Sequence, residues 1–194
     1  ETFAEYIRND NEKDFEYGFG YYRWSVRMSM ADITKSVNEY LYSRYCANPS
    51  QIMVSENGRW ISKEIRNVGT VSSVEITKRS SGGAVMIIRG SEATIKLDNE
   101  LNIRYLLCPH DNPITLFKGD TTTFYILPSA YCILEKYDEN DGETGYVIRG
   151  GGYGHGIGMS QNAVSNMVKS GMKYNEILEF FFKGSDIMNV YGNE

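Results

Sequence analysis

Two features that mark common protein classes are absent from this chain. Its 194 residues contain no uninterrupted apolar run of roughly 18 residues, which a membrane-spanning helix requires. They also contain no basic run, and the net charge is -5, whereas nucleic-acid-binding domains carry clustered Lys and Arg. We therefore expect neither nucleic acid nor a membrane among the partners of this chain.

Cysteine and histidine are scarce, with three Cys and two His. The odd count and wide spacing of Cys46, Cys108 and Cys132 do not form a disulfide framework, so one bridge and three buried thiols are both open alternatives. The segment Cys108-Pro109-His110-Asp111 holds ligand-type residues, but no second Cys/His pair has zinc spacing. The sequence predicts no metal site and no cofactor.

Tyrosine is abundant, with 15 Tyr beside 8 Phe. A Tyr ring offers a flat apolar face with a polar tip, which suits sugars or peptides, although any single Tyr is more often part of a core or its rim. The length and composition fit a single globular domain over residues 1–194. Residues 1–20 have no clear period and no recognisable cap, and the chain begins without Met. They are therefore expected to be the remnant of an upstream region of a longer protein.

The first half of the chain combines strands with one long helix. Residues 21–28 alternate and predict a strand, and Ser29 is the expected N-cap of a helix over residues 30–45 that ends at Asn48-Pro49. Further signals are a turn at Asn57-Gly58, strands over 71–78 and 84–88 joined by the loop 80–83, and a short strand over 93–97.

The second half predicts a short helix, three strands and two closing helices. Asp98 is expected to cap the helix 102–107, which Pro109 stops. The strands are expected over 121–127, 131–137 and 145–149, with a turn at Asp141-Gly142. The closing helices are expected from Ser160 to Gly171, with an apolar face of Ala163, Val164, Met167 and Val168, and over 174–182, with apolar Ile177, Leu178, Phe181 and Phe182. This order predicts an α+β fold with a mainly antiparallel, barrel-like sheet core and a glycine-rich loop from strand to helix.

That glycine-rich loop is the candidate functional segment. Six of the nine residues from Gly150 to Gly158 are glycine, a density that is useful where backbone adopts positive φ or lies close to another group. The loop lacks the Lys-Ser/Thr of a phosphate-binding P-loop. The spacing after Gly152-Tyr153-Gly154 also fails the dinucleotide pattern, because Ile157 stands where glycine is needed.

Several side chains in and after this loop are candidates for ligand contact. His155 lies between glycines and is free for hydrogen bonding or acid–base work, although it could instead tie the loop to a nearby carbonyl group. Ser160 is better placed as a helix N-cap than as a nucleophile, since no G-x-S-x-G elbow surrounds it. Gln161 offers a donor and an acceptor to a sugar amide or hydroxyl group.

The ten residues from Gly152 to Gln161 resemble the G-x-G-H-G-x-G-M-S-Q motif of the stage II sporulation protein D family (SpoIID/LytB). Weaker matches in the same order are Tyr22-Arg23-Trp24, the hairpin 71–88, Leu101-Asn102-Ile103-Arg104 and the end of the chain from Met172 to Gly184. The resemblance covers residues 20–188. It departs after Gln161, where Asn162-Ala163 replaces an aromatic residue and Gly-Ala.

The resemblance implies a cell-wall function outside the cytoplasm, at the wall or the outer face of the membrane. SpoIID cleaves peptidoglycan glycan strands as a lytic transglycosylase during sporulation, and LytB-type relatives enhance a cell-wall amidase. By this resemblance the chain binds and positions glycan strands; the alternative is a non-catalytic cell-wall module that enhances a partner amidase. The substrate-binding residues would be Tyr153, Gly154, His155, Gly156, Ser160 and Gln161, with Tyr153 stacking on a sugar ring.

The family's catalytic Glu has no counterpart in this chain. It belongs to a segment resembling L-E-x-Y-V-x-G-V-V-x-x-E-M, and Glu1, Glu5 and Glu56 have no such context. A Cys/His stretch that binds zinc in some members is also missing, and Cys108 and His110 do not fall at its positions. The resemblance therefore assigns neither a catalytic acid nor a metal ligand, and the chain is expected to be the C-terminal portion of that domain.

Overall fold

Two separate antiparallel sheets and five α-helices make up the computed structural model, which describes residues 2–80, 83–139 and 142–188. The helices are α1 Phe3–Arg8, α2 Met30–Ala47, α3 Glu100–Leu106, α4 Gln161–Lys169 and α5 Tyr174–Phe181. The strands are β1 Trp24–Ser29, β2 Ile52–Glu56, β3 Arg59–Ile61, β4 Val71–Ser80, β5 Gly83–Gly90, β6 Thr94–Leu97, β7 Ile114–Leu116, β8 Thr121–Thr122, β9 Cys132–Asp138 and β10 Thr144–Gly150. None of the helices in the described ranges is long and apolar enough to cross a membrane.

The strand order is β8-β7-β1-β10-β9 in the first sheet and β3-β2-β6-β5-β4 in the second. All the neighbouring strands in both sheets run antiparallel. This confirms the predicted α+β class with antiparallel sheets. The expected barrel-like closure was wrong, because the strands of the described ranges form two open sheets.

Helix α2 lies against both sheets and carries the centre of the core. Ser29 caps it together with Asp32 in a capping box, in which each side chain accepts from the backbone N–H of the other residue. Ile33, Val37 and Leu41 follow at helical spacing and are fully buried. Because the helix contacts β1 and β10 on one side and β4 on the other, its apolar face joins the two sheets into one core.

The central pair of the first sheet, β1 and β10, positions the glycine-rich loop. Trp24, Val26 and Met28 alternate along β1 and point into the core. Trp24 is the register partner of Gly150, and a Cβ atom at Gly150 would lie 2.2 Å from the Trp24 ring. The indole therefore occupies the space where a side chain would stand, at the last residue of β10 before the loop continues.

Most of the predicted elements are confirmed. Helix α2, its cap and its end at Asn48 are as expected, and so are the antiparallel hairpin of β4 with β5 and the strands β6, β9 and β10. The turn at Asn57-Gly58 joins β2 to β3 with positive φ at both residues. Ser160 caps α4, and Gly171 follows that helix with a φ of 90°. Ser81, Gly82 and Asp141, which belong to two predicted turns, lie outside the described residues.

Other predictions were wrong at element ends and on helix surfaces. Residues 20–22 form a 3₁₀ turn, so the first strand begins only at Trp24. Asn99, with a φ of 84°, caps α3 in place of Asp98, because its side chain accepts from the Leu101 N–H. Val168 and Phe182 are exposed, at 58% and 43%, although they were expected on apolar faces.

The strand predicted over 121–127 ends after Thr122. Beyond it the backbone bonds to α3 instead of a neighbouring strand: the Leu127 N–H donates to the Arg104 carbonyl, and the Arg104 guanidinium donates to the Leu127 carbonyl. These partners are remote in sequence. The residue composition of 121–127, which is typical of a strand, therefore could not indicate that this segment bonds to α3.

The first residues of the chain are also more ordered than their sequence suggested. Thr2 and Glu5 form a capping box at the start of α1, which corrects the expectation of an uncapped segment. Ile7 on this helix is buried, and α1 contacts β9 and β10. The segment is therefore packed against the first sheet.

The Gly150→Ala substitution should destabilise the fold. The added methyl group would collide with the Trp24 ring, so we expect the free energy of unfolding to fall by about 2 kcal/mol, as for other overpacked cores. The measurement is urea denaturation. Gly20→Ala is the matched control, because a Cβ there meets only Leu116 at an ordinary 3.6 Å. An equal free energy of unfolding in the two variants would contradict the close contact between Trp24 and position 150.

All three cysteines are free thiols, which excludes the disulfide alternative; Cys46 is exposed, contrary to the alternative of three buried thiols. Burial raises the pKa of the Cys132 thiol to about 12 and also raises the pKa of Cys108. Both therefore stay protonated near neutral pH and are poor nucleophiles.

We expect a thiol reagent at about pH 8, near the ordinary thiol pKa, to label Cys46 alone in the native chain and all three cysteines after unfolding, as read by peptide mass spectrometry. Labelling of native Cys132 at the rate of Cys46 would contradict this burial.

Candidate functional site

The backbone of the glycine-rich loop is fixed by residues from two other segments. The N–H groups of Gly151, Gly152 and Gly154 donate to the carbonyl groups of Tyr131, Tyr21 and Pro128, at 2.8–3.0 Å. In return, the Ser129 hydroxyl donates to the Gly151 carbonyl group, and the Trp24 indole N–H donates to that of Gly152. The start of the loop is therefore held by the segments 21–24 and 128–131, which flank it on the first sheet.

Every second residue of the loop has a left-handed backbone conformation. Gly152, Gly154, Gly156 and Gly158 have φ values of 77°, 119°, 72° and 88°. Residues with a Cβ atom rarely adopt these angles. At Gly156 there is a second constraint, because a Cβ atom would lie 2.6 Å from the Tyr131 ring. The alternating glycines of the motif are thus required by the path of the backbone.

The residues that alternate with these glycines, from Tyr153 to Met159, display their side chains to solvent. Tyr153, Ile157 and Met159 are 58%, 62% and 43% exposed, and His155 is exposed as well. Two large apolar side chains and a Tyr ring are seldom this exposed when the backbone that carries them is held in place. Such an arrangement can present contact surface to a ligand.

A cavity of about 630 Å³ lies over the loop. The loop and the start of α4 form one wall, from Gly151 to Asn162. The rest of the lining comes from the N-terminal segment, from the 3₁₀ turn before β1 and from the residues before β9; it includes Tyr6, Ile7, Glu16, Phe19, Tyr21, Tyr22, Arg23, Ser129 and Tyr131. Volumes of about 300–1,000 Å³ are typical of small-ligand sites.

The structure brings all six residues predicted for substrate binding into this cavity wall: Tyr153, Gly154, His155, Gly156, Ser160 and Gln161. That they contact a substrate stays a prediction. The segment 108–111 is not part of the wall; His110 there stacks on Tyr40, and its Nε2 atom lies 3.7 Å from the Glu39 carboxylate. No cluster of three or more potential metal ligands occurs in the described ranges.

Glu16 is a cavity residue that sequence reasoning missed. Its carboxylate accepts a hydrogen bond from the Ser160 hydroxyl, which at the same time accepts from the Ala163 N–H as the cap of α4. Asn166 on the same helix donates to the Phe15 carbonyl group, and the Phe15 ring meets Phe180 edge-on at 5.7 Å. The segment around Glu16 therefore holds the two closing helices against the cavity. No periodicity or motif around Glu16 indicated this position.

Arg23 lines the cavity but is occupied by structural contacts. Its guanidinium donates to the carbonyl groups of Tyr6, Asn9 and Tyr22 at 2.8–3.2 Å. The same group lies over the Tyr6 and Tyr22 rings, with its central carbon 4.5 and 4.0 Å from their centroids. Arg23 therefore fastens the N-terminal segment to the start of β1, and few of its donors remain for a ligand.

Three tyrosines that line the cavity, Tyr21, Tyr22 and Tyr131, stay protonated phenols at neutral pH. Burial raises the pKa of Tyr22 to about 12, and its hydroxyl donates to the Asp14 carboxylate at 2.7 Å. Burial likewise raises the pKa of Tyr21 and of Tyr131. These rings supply neutral hydroxyl groups and apolar faces to the cavity rather than charge.

Three aromatic rings form a cluster at the start of the loop. Tyr153 contacts Tyr21 and Phe124 with centroid separations of 4.8 and 5.7 Å, and Tyr21 meets Phe124 at 5.9 Å. Tyr21 and Phe124 are half-buried and support the exposed Tyr153 ring. Phe124 falls in the segment whose predicted strand was wrong, so no sequence pattern indicated that it belongs to this cluster.

His155 has one defined hydrogen bond within the loop. The backbone N–H of Ile157 donates to its Nδ1 atom at 3.0 Å. This contact holds the ring against the loop backbone and leaves the Nε2 edge as its other polar group. The alternative in which His155 ties the loop to a carbonyl group is therefore wrong, because the ring accepts from an N–H group.

Comparison with known proteins gives two relatives of limited coverage. An uncharacterized protein of Brachyspira hyodysenteriae (strain ATCC 49526 / WA1) is 33% identical over 128 residues, which are 65% of this chain and 30% of that protein. The amidase enhancer of Bacillus subtilis (strain 168) is 45% identical over 42 residues, which are 22% of this chain and 6% of that protein. The chain thus matches less than a third of the length of either relative. No solved structure matches it significantly.

A family model covers more than half of the chain. It matches residues 48–158, from the residue after α2 through the second sheet and all strands of the first sheet except β1, to the last positive-φ glycine of the loop. The match includes the strands of the second sheet and β10, which leads into the loop. The chain therefore belongs to the family described as a domain of unknown function, DUF8618.

Proposed function

We propose that this chain is a glycan-binding module that acts in processing the bacterial cell wall. The observation that carries the proposal is the exposed Tyr153 ring, supported by Tyr21 and Phe124 beside a cavity of about 630 Å³. The C–H face of a sugar ring packs on such an aromatic face. Its hydroxyl and amide groups need hydrogen-bonding partners nearby.

The cavity wall offers those partners within one loop and one helix start. His155 has a free Nε2 edge, and Gln161 carries donors and acceptors. The Glu16 carboxylate, which accepts from the Ser160 hydroxyl, supplies a further acceptor beside them. In contrast, the described residues of the wall form no free cationic cluster for phosphate groups, because Arg23 is held by three carbonyl groups. The chemistry of the wall thus favours a hydroxyl-rich ligand over a nucleotide.

The cell-wall assignment draws on the similarity to an amidase enhancer over 42 residues and on the resemblance of the motif 152–161 to the SpoIID/LytB family. We propose that the ligand is a peptidoglycan glycan strand and that a cell-wall amidase is a partner. The site of action would then be outside the cytoplasmic membrane, at the wall. The B. subtilis relative is much longer than its matched segment, so these roles are proposed for the domain type and not transferred from the whole relative.

The Tyr153→Ala variant tests the binding surface. Loss of the stacking ring should weaken binding of purified, peptide-free glycan strands about fivefold to tenfold, in line with the contribution of one aromatic contact. The measurement is isothermal titration calorimetry. Because the ring is 58% exposed, the thermal midpoint of the variant should stay close to that of the wild type.

Tyr174→Ala is the matched control for this test. Tyr174 is 72% exposed on α5 and does not line the cavity, so its removal should leave the affinity unchanged. Equal weakening by both substitutions would refute a specific role for Tyr153. Absence of any binding by the wild-type chain would refute glycan binding itself.

A second candidate function is cleavage of the strand, and Glu16 is the observation that favours it. Among the described residues that line the cavity, Glu16 carries the only carboxylate. Two-carboxylate glycosidases need a second carboxylate to activate water or to form a covalent intermediate. With a single acid, the route that the SpoIID resemblance implies is attack by a hydroxyl group of the substrate itself.

In that route the protonated Glu16 carboxyl donates its proton to the glycosidic oxygen as the bond from this oxygen to the anomeric carbon breaks. The 6-hydroxyl oxygen of the same muramyl residue forms the new bond to the anomeric carbon and loses its proton to the Glu16 carboxylate. The products are an anhydro sugar and a strand with a free hydroxyl group. Atoms and charge balance without water or a cofactor.

Glu16→Gln tests this second function. The amide of the variant cannot supply the proton, so release of anhydro-muramyl products from peptide-free strands should fall about 100-fold or more while strand binding persists. The measurement is product analysis by mass spectrometry. Glu12→Gln is the control, because Glu12 is exposed and lies outside the cavity wall. If the wild-type chain releases no such product although it binds strands, cleavage is refuted and binding stands.

A further inference from the structure

The hydrogen bond at His155 fixes which ring nitrogen carries the proton. A neutral imidazole has one N–H donor and one acceptor nitrogen. Since Nδ1 accepts from the Ile157 N–H at 3.0 Å, the proton of the neutral ring resides on Nε2. At its free edge His155 is therefore a hydrogen-bond donor and has no acceptor to offer.

Free backbone donors lie beside His155. Within the described residues, the N–H groups of Gly156 and Gly158 have no acceptor, whereas that of Ile157 is used by the His155 ring. All three residues line the cavity. Because the alternating positive φ values hold this backbone in place, the wall from 155 to 158 combines several donors without a side-chain acceptor between them.

We infer that His155 is a specificity residue that donates through Nε2 to an acceptor-only oxygen of the bound glycan. A sugar hydroxyl group can donate or accept, but a carbonyl or carboxylate oxygen only accepts, and it is therefore the best complement to the donor at the free edge of His155. A glycan strand offers two oxygens of this kind, the N-acetyl carbonyl and a carboxylate on the sugar. This inference rests on the proposed glycan binding and names the group that the same site selects.

The assignment also gives His155 a role other than acid–base catalysis. Its Nδ1 atom is occupied by the Ile157 N–H, so the Nε2 edge is the part of the ring that is open to a ligand. His155 binds and orients the substrate, and any proton transfer belongs to another group.

The first experiment reads the protonated nitrogen directly and needs no ligand. Long-range ¹H–¹⁵N correlation spectra of the ¹⁵N-labelled chain distinguish a histidine ring protonated at Nε2 from one protonated at Nδ1. The chain has two His, so the His155→Asn variant assigns the signals. Observation of the neutral ring with its proton on Nδ1 would overturn the inference whether or not the chain binds glycan.

The second experiment compares two substitutions at position 155. The amide nitrogen of Gln reaches about as far as Nε2, whereas the amide of the shorter Asn falls near Nδ1. His155→Gln should thus keep the affinity for glycan within about twofold, and His155→Asn should weaken it about fivefold, as for one lost hydrogen bond. The thermal midpoints of both variants serve as the control for loop integrity.

Two probes separate the two sources of the oxygen. Oligomers of N-acetylglucosamine contain acetyl carbonyl groups and no carboxylate, and peptide-free peptidoglycan strands contain both. A loss of about fivefold in His155→Asn with both probes assigns the N-acetyl carbonyl, and a loss with the peptidoglycan strands alone assigns the carboxylate. Three outcomes would overturn the inference: both variants bind glycan with wild-type affinity, both lose affinity equally, or His155→Gln loses more affinity than His155→Asn. Binding by the wild type in these same titrations shows that the proposed function is intact.

Discussion

The contact of the Trp24 indole with Gly150 determines where the functional loop leaves the first sheet. The ring fills the space above a residue without a side chain, in the middle of the sheet, and its N–H then holds the Gly152 carbonyl group. Packing and hydrogen bonding by one side chain thus act on neighbouring parts of the same backbone. The cavity wall, the cap of α4 and the position of His155 all lie downstream of this contact.

The N-terminal segment completes the site from the other side. Arg23 fastens this segment to β1 through three carbonyl groups and two aromatic rings, and Glu16 reaches the cap residue of α4. The cavity consequently depends on residues that are far apart in sequence and have no pattern of their own. A site of this kind is a property of the folded chain and not of the motif alone.

The sequence predicted well wherever local physics decides the structure. A few adjacent residues determine each of three such features: the capping box at Ser29, the turn at Asn57-Gly58 and the alternation of β1. It failed where a distant partner decides, as for the segment after Thr122, whose backbone bonds to α3. The same limit applies to the candidate site. The motif predicted the glycine-rich wall of the cavity, whereas Glu16 and Phe124 were not predicted, because tertiary packing brings them to the site.

The four alternating left-handed glycines have a consequence for what their motif can say about function. Their positive φ values fix the course of the main chain and leave open which side chains are displayed between them. A chain can therefore keep the same glycine signature while other residues replace Tyr153, His155 or Ile157 and so change the ligand. A shared signature of this kind is evidence of common shape, and the chemistry of each member must be read from the residues between the glycines.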